Sequence, residues 1–70
     1  MPTVIRQLRE NQGLTRIQFA KTYGFWPEFI SSMETGGLPA GPKNRAKLAK
    51  ALGKPESELF DSAGWPLPQA

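Results

Sequence analysis

TRIQFAKTYGFWPEFISSMETG, running from Thr15 to Gly36, is the stretch on which the reading of this chain turns. Thr15 stands where a helix cap belongs, and Gln18 follows at the third helical position, the arrangement in which each residue satisfies the other's free backbone N–H. The spacing predicts a helix over 16–23 with Phe19, Ala20 and Tyr23 on its apolar stripe, stopped by Gly24. A second helix is expected to begin at Pro27, since proline loses nothing at the first helical position, where its missing N–H would have no partner. Its inward face is Phe29, Ile30 and Met33, and Thr35-Gly36-Gly37 ends it. A small residue, Ala20, lets the two helices cross closely, and Gly24 permits a turn that other residues resist.

That order is the order of a helix-turn-helix, although a generic helical hairpin has the same outline. Working outward, Thr3 can cap a helix over 4–11 with Val4, Ile5 and Leu8 on one face, and Gly13 lies just past its end. On the other side, Leu38-Pro39-Ala40-Gly41 is a loop. Pro42 opens a helix of about 42–52 that points Ala46, Leu48, Ala49 and Leu52 inward, and Gly53 closes it. Pro55 opens a last short helix, 55–61, with Leu59 and Phe60 apolar. Residues 1–61 therefore form one domain, and 62–70, with Gly64, Pro66 and Pro68, an irregular tail. The segment Trp65-Pro66-Leu67-Pro68 has three readings: docked on its own chain, placed in a dimer interface, or unordered.

No run of alternating β-branched residues predicts a strand. The expected architecture is all-α, five short helices around Leu8, Leu14, Phe19, Ala20, Phe25, Ile30, Met33, Leu48, Ala49, Leu52, Leu59 and Phe60. Helices this short are unstable alone, so packing must hold them.

Composition narrows function. The chain has 70 residues and neither cysteine nor histidine. That removes disulfides, cysteine-based zinc sites, the usual general base and any Ser–His or Cys–His nucleophile, so an enzyme is not expected and no metal or cofactor is implied. No apolar run reaches the ~18–20 residues needed to span a bilayer, and Met-Pro-Thr-Val-Ile-Arg does not read as a secretory signal, which points to the cytoplasm. Residues 1–25 carry net +3, 26–41 net −2, 42–54 net +5 and 55–70 net −3. Two basic blocks flanking an acidic one suit a polyanion gripped at two places, while the same charges can equally be solvated helix faces.

Residues 4–60 resemble the lambda-repressor/Cro-like (XRE-class) helix-turn-helix family. The matching stretches are IRQLRENQGLT, QFAKTYGF, FISSMETG and AKLAKALGKPESELF, in the family's order and near its spacing. The resemblance implies a compact five-helix domain with an Arg–Glu pair that falls on Arg9 and Glu34. It also implies a transcription regulator, a repressor by preference, that binds double-stranded DNA with its third helix in the major groove, usually as a two-fold homodimer. Carried over residue by residue, the base-reading positions are Trp26, Pro27, Glu28 and Ser32. Arg16, Gly37, Lys43, Asn44 and Arg45 lie where the family contacts the DNA backbone. No small-molecule ligand is implied.

The chain departs from the family where the bases would be read. A recognition helix usually begins with a Ser or Thr cap and offers Gln, Arg, Ser or Asn; this one begins Trp26-Pro27-Glu28 and has no basic residue. Glu28 can accept from cytosine N4 and Trp26 can press on a thymine methyl. Equally, Glu28 reads as a solvated helix-start carboxylate, and Trp26 as packed on Leu38-Pro39. Ile17, where the family is usually polar, would join Trp26 in an exposed apolar patch, which favours the alternative of a protein-interaction module built on the same fold.

Overall fold

The computed structural model describes residues 2–69; Met1 and Ala70, the outer ends of the expected domain and tail, lie outside the described residues. Five helices follow in order: α1 (Val4–Asn11), α2 (Arg16–Tyr23), α3 (Pro27–Thr35), α4 (Pro42–Leu52) and α5 (Glu56–Leu59). The boundaries of α1 to α4 agree with those read from proline, glycine and capping residues. Helix α5 is shorter than the expected 55–61, because Phe60 has already turned extended, with φ −136° and ψ 153°.

The local causes are visible at the helix ends. At α2 the capping box forms: the Gln18 N–H donates to Thr15 Oγ1 at 3.1 Å, and the Thr15 N–H donates to Gln18 Oε1 at 2.9 Å. Gly24 closes α2 at φ 75°, a left-handed conformation that costs glycine nothing. At α1 the expectation fails. Thr3 is the cap residue by position, yet its hydroxyl donates to the Met33 carbonyl at 2.9 Å and caps nothing. Buried against the end of α3, it serves a tertiary contact instead of a local one.

The core consists of Ile5, Phe19, Ala20, Ile30, Met33, Ala40, Leu48, Leu52, Leu59 and Phe60. Leu8, Leu14, Phe25 and Ala49, expected in the core, are half-buried at its margin. One assignment changes: Ala46 is exposed, because Leu48 and Leu52, one turn apart, already define the inward stripe of α4. Ala40 lies in a loop as expected, yet it is buried, with the tail bonded to its N–H.

That tail is docked on its own chain. Phe60 pairs with Pro66 and Thr3 with Pro68 in isolated antiparallel bridges. The Leu67 N–H donates to the Leu59 carbonyl at 2.9 Å, and the Leu67 carbonyl accepts from Val4 N–H at 3.0 Å. The latter bond satisfies one of the free donors of the first turn of α1. Asp61 shapes the bend, its Oδ1 accepting from the N–H groups of Ala63 and Trp65 at 2.9 Å each. Gly64, at φ 89°, then offers its carbonyl to Ala40 N–H at 2.8 Å. No strand occurs among the described residues.

Candidate nucleic-acid interface

Helices α2 and α3 meet through Ala20 and Ile30, both essentially without exposure, and Phe25 N–H donates to the Ala20 carbonyl at 2.8 Å to fix the turn between them. The turn is braced from outside as well. Lys47 of α4 donates to the Gly24 carbonyl at 2.7 Å, and its ammonium stands 4.5 Å from the centre of the Phe25 ring. Phe25 in turn stacks between Phe19, at 6.2 Å, and Phe29, at 5.6 Å. A cation over an aromatic face is attracted by the ring quadrupole, so Lys47 holds both the backbone and the side chain of the turn.

A buried ion pair anchors the far end of α3. Arg9 Nε donates to Glu34 Oε2 at 2.5 Å and Nη2 donates to Oε1 at 3.1 Å, a two-point grip, while Nη1 donates to the Leu14 carbonyl at 2.6 Å. The hydrogen bond to Glu34 raises the Arg9 pKa above its already high ordinary value, against the opposing effect of burial. One guanidinium thus ties α1, the approach to α2 and the end of α3 together.

The outer face of α3 begins at Trp26, which holds the cap position in extended conformation without a capping side chain, followed by Pro27 in the first turn. Trp26 is 78% exposed, so the packing on Leu38-Pro39 allowed by the sequence is not made; Leu38 itself is 52% exposed. The indole instead flanks a groove of about 370 Å³ lined by Gly24, Phe25, Trp26, Phe29, Lys43, Asn44 and Lys47. On the other side of Pro27, a recess of about 300 Å³ is lined by Arg16, Ile17, Pro27, Glu28 and Ser31. Arg16 reaches across it to donate to Ser31 Oγ at 3.3 Å. Glu28 is exposed and Ser32 half-buried.

The remaining positions expected at a DNA backbone divide into two groups. Lys43 is exposed and Asn44 half-buried, both on the first turn of α4 beside the Trp26 groove. Arg45 and Gly37 are engaged within the fold. Arg45 Nη1 donates to the Ala40 carbonyl at 2.7 Å and Nε lies 3.6 Å from Glu56 Oε1, while Gly37 N–H donates to the Ser32 carbonyl at 2.9 Å. Ser31 and Lys47 were not singled out in the sequence. For Lys47 a signal was there, since it lies one turn from Lys43; for Ser31 there was none, because only the crossing of α2 and α3 brings Arg16 to it.

Two helices crossed through a small residue, a glycine turn between them and an uncovered outer face on the second define a helix-turn-helix domain. Comparison with known families agrees: the family model described as helix-turn-helix matches residues 5–59, more than three quarters of the chain. The chain belongs to this family, the lambda-repressor-like (XRE) class, and is in kind a helix-turn-helix DNA-binding regulator. No curated protein and no solved structure matches it. The family is a DNA-binding regulatory one and typically not enzymatic. Among the described residues no helix is long and apolar enough to cross a membrane.

Proposed function

We propose that the protein is a sequence-specific regulator, a repressor by occupancy, that lays α3 in the major groove of duplex DNA. The observation that carries this is the outer face of α3, which is uncovered and runs between Arg16 on one side and Lys43 and Asn44 on the other. A neutral-to-acidic reading helix between basic flanks separates two tasks: the flanks hold phosphates, and α3 discriminates bases. Trp26, Pro27, Glu28 and Ser32 are the reading positions, with Glu28 favouring cytosine through its N4 donor and Trp26 favouring a thymine methyl. Arg16, Lys43 and Asn44 take phosphates. Gly37 and Arg45 act at the same backbone from behind, by fixing the loop that presents α4. Binding as a homodimer in the cytoplasm completes the proposal.

Selection of bound duplexes from a random library at physiological salt tests it. An enriched palindrome with half-sites about one helical turn apart is expected. Recovery of no preferred sequence by the folded protein contradicts it.

A second reading has its own support. Ile17 is 63% exposed and Trp26 78%, more apolar surface than a reading face needs. On that reading the face binds a protein. Lys43→Ala separates the two, since it weakens DNA binding under the first and leaves a protein contact intact under the second.

A further inference from the structure

Beyond duplex recognition, we propose that the groove beside Trp26 is a stacking site for an unpaired nucleobase, giving the protein a second affinity for single-stranded nucleic acid. Four features converge there. The indole of Trp26 is free on its solvent side, being 78% exposed at a position where it caps nothing. The groove behind it has an aromatic floor, Phe25 and Phe29, stacked at 5.6 Å and therefore held in place. Its rim carries Lys43 and Lys47 and the amide of Asn44, and its lining contains no carboxylate. Lys47 is immobilised by the Gly24 carbonyl at 2.7 Å, so its charge is fixed at the groove.

Each part matches one part of a nucleotide. A planar indole offers a face to any base, the two ammonium groups offer charge to the flanking phosphates, and an amide can both donate to and accept from a base edge. An apolar peptide would leave the two cations and the amide unanswered. An acidic peptide would leave the indole and its aromatic floor unanswered. Within a duplex the base faces are covered by their neighbours, so only an unpaired base uses all four features at once. The site shares Trp26, Lys43 and Asn44 with the proposed duplex face but needs no duplex, so single-stranded and duplex probes separate the two.

The test uses the full chain carrying Trp65→Phe, so that Trp26 is the sole tryptophan and is excited selectively over Tyr23, with circular dichroism confirming the fold. Three probes are titrated: a twelve-residue oligothymidylate, a mixed-sequence duplex and inorganic polyphosphate. The proposal expects the oligothymidylate to quench Trp26 strongly, and polyphosphate to bind without comparable quenching. Trp26→Leu, which keeps an apolar side chain but not the stacking plane, is expected to lower oligothymidylate affinity by about 5- to 150-fold, read from the anisotropy of an end-labelled oligothymidylate because this variant has no indole to quench. Trp26→Phe is expected to lose less. Equal quenching by polyphosphate, or unchanged affinity in Trp26→Leu, reduces the groove to a charged patch and overturns the proposal. Binding of the duplex but not of the oligothymidylate overturns it too, leaving duplex recognition in place. The reverse result upholds the stacking site, and the duplex reading is then decided by the library selection.

Discussion

Arg9 and Glu34 tie the end of α3 to α1, and their energetics follow from burial. Arg9 is 8% exposed and Glu34 4%, so removing either charge strands the other away from water. Arg9→Met or Glu34→Gln alone is expected to cost ~3–5 kcal/mol, a large share of what so small a domain has. Urea denaturation measures this, and a loss below ~1 kcal/mol contradicts it. Replacing both by Met and Leu should cost far less than the sum of the single changes, because no unpaired charge remains. The raised Arg9 pKa gives its sign with pH. The arginine's contribution is complete below the ordinary arginine pKa and lost only as pH climbs past it, so neutral buffers do not affect it. The resemblance to the family pointed to this pair, but not to the Leu14 carbonyl that completes the arginine's hydrogen bonds. A contact to a backbone oxygen leaves no mark on residue type.

At the scale of elements, the helix ends were legible because the signals are local. Pro27 and Pro42 open α3 and α4, and Gly24, Gly36 and Gly53 close α2, α3 and α4. The cap residues divide on the same principle. Thr15 caps as its neighbours dictate, and Thr15→Ala should cost ~1 kcal/mol in thermal unfolding. Thr3 was misread because its partner, Met33, is remote in sequence and is reached only after α1 has packed on α3. Docking of the tail on its own chain was one of three readings the sequence allowed, but its partners were illegible for the same reason, since its bonds to Val4, Leu59 and Ala40 all depend on the finished fold. Gly64 is its tightest point. A Cβ there would meet the Ala40 carbonyl oxygen at 2.5 Å and press on the Arg45 guanidinium, in a backbone conformation that side chains rarely adopt. Gly64→Ala should therefore lower stability by roughly 1–3 kcal/mol, read as a fall in Tm. An unchanged Tm would mean that the tail does not hold the loop. Trp26→Ser should do the opposite. A hydroxyl at the cap of α3 supplies the missing acceptor and is expected to add ~1 kcal/mol while removing the indole from the interface. Unchanged or reduced stability would count against the cap argument.

For the molecule as a whole, charge falls in blocks along the sequence, +3, −2, +5 and −3. The blocks do not tell which cations are free to act. Arg45 looked equivalent to Lys43 in the sequence, yet it is bonded to Ala40 and placed near Glu56, while Lys43 stays exposed. Lys43→Ala should accordingly weaken duplex binding and flatten its salt dependence by about 0.9 in log–log slope, the share of one phosphate. An unaltered slope would remove Lys43 from the interface. If α3 and its basic flanks face the duplex, titration with an enriched duplex should perturb backbone amide shifts chiefly at Arg16 and Ile17, from Trp26 to Ser32, and from Lys43 to Lys47. Perturbations centred instead on α5 and the docked tail, with α3 unaffected, would contradict that placement.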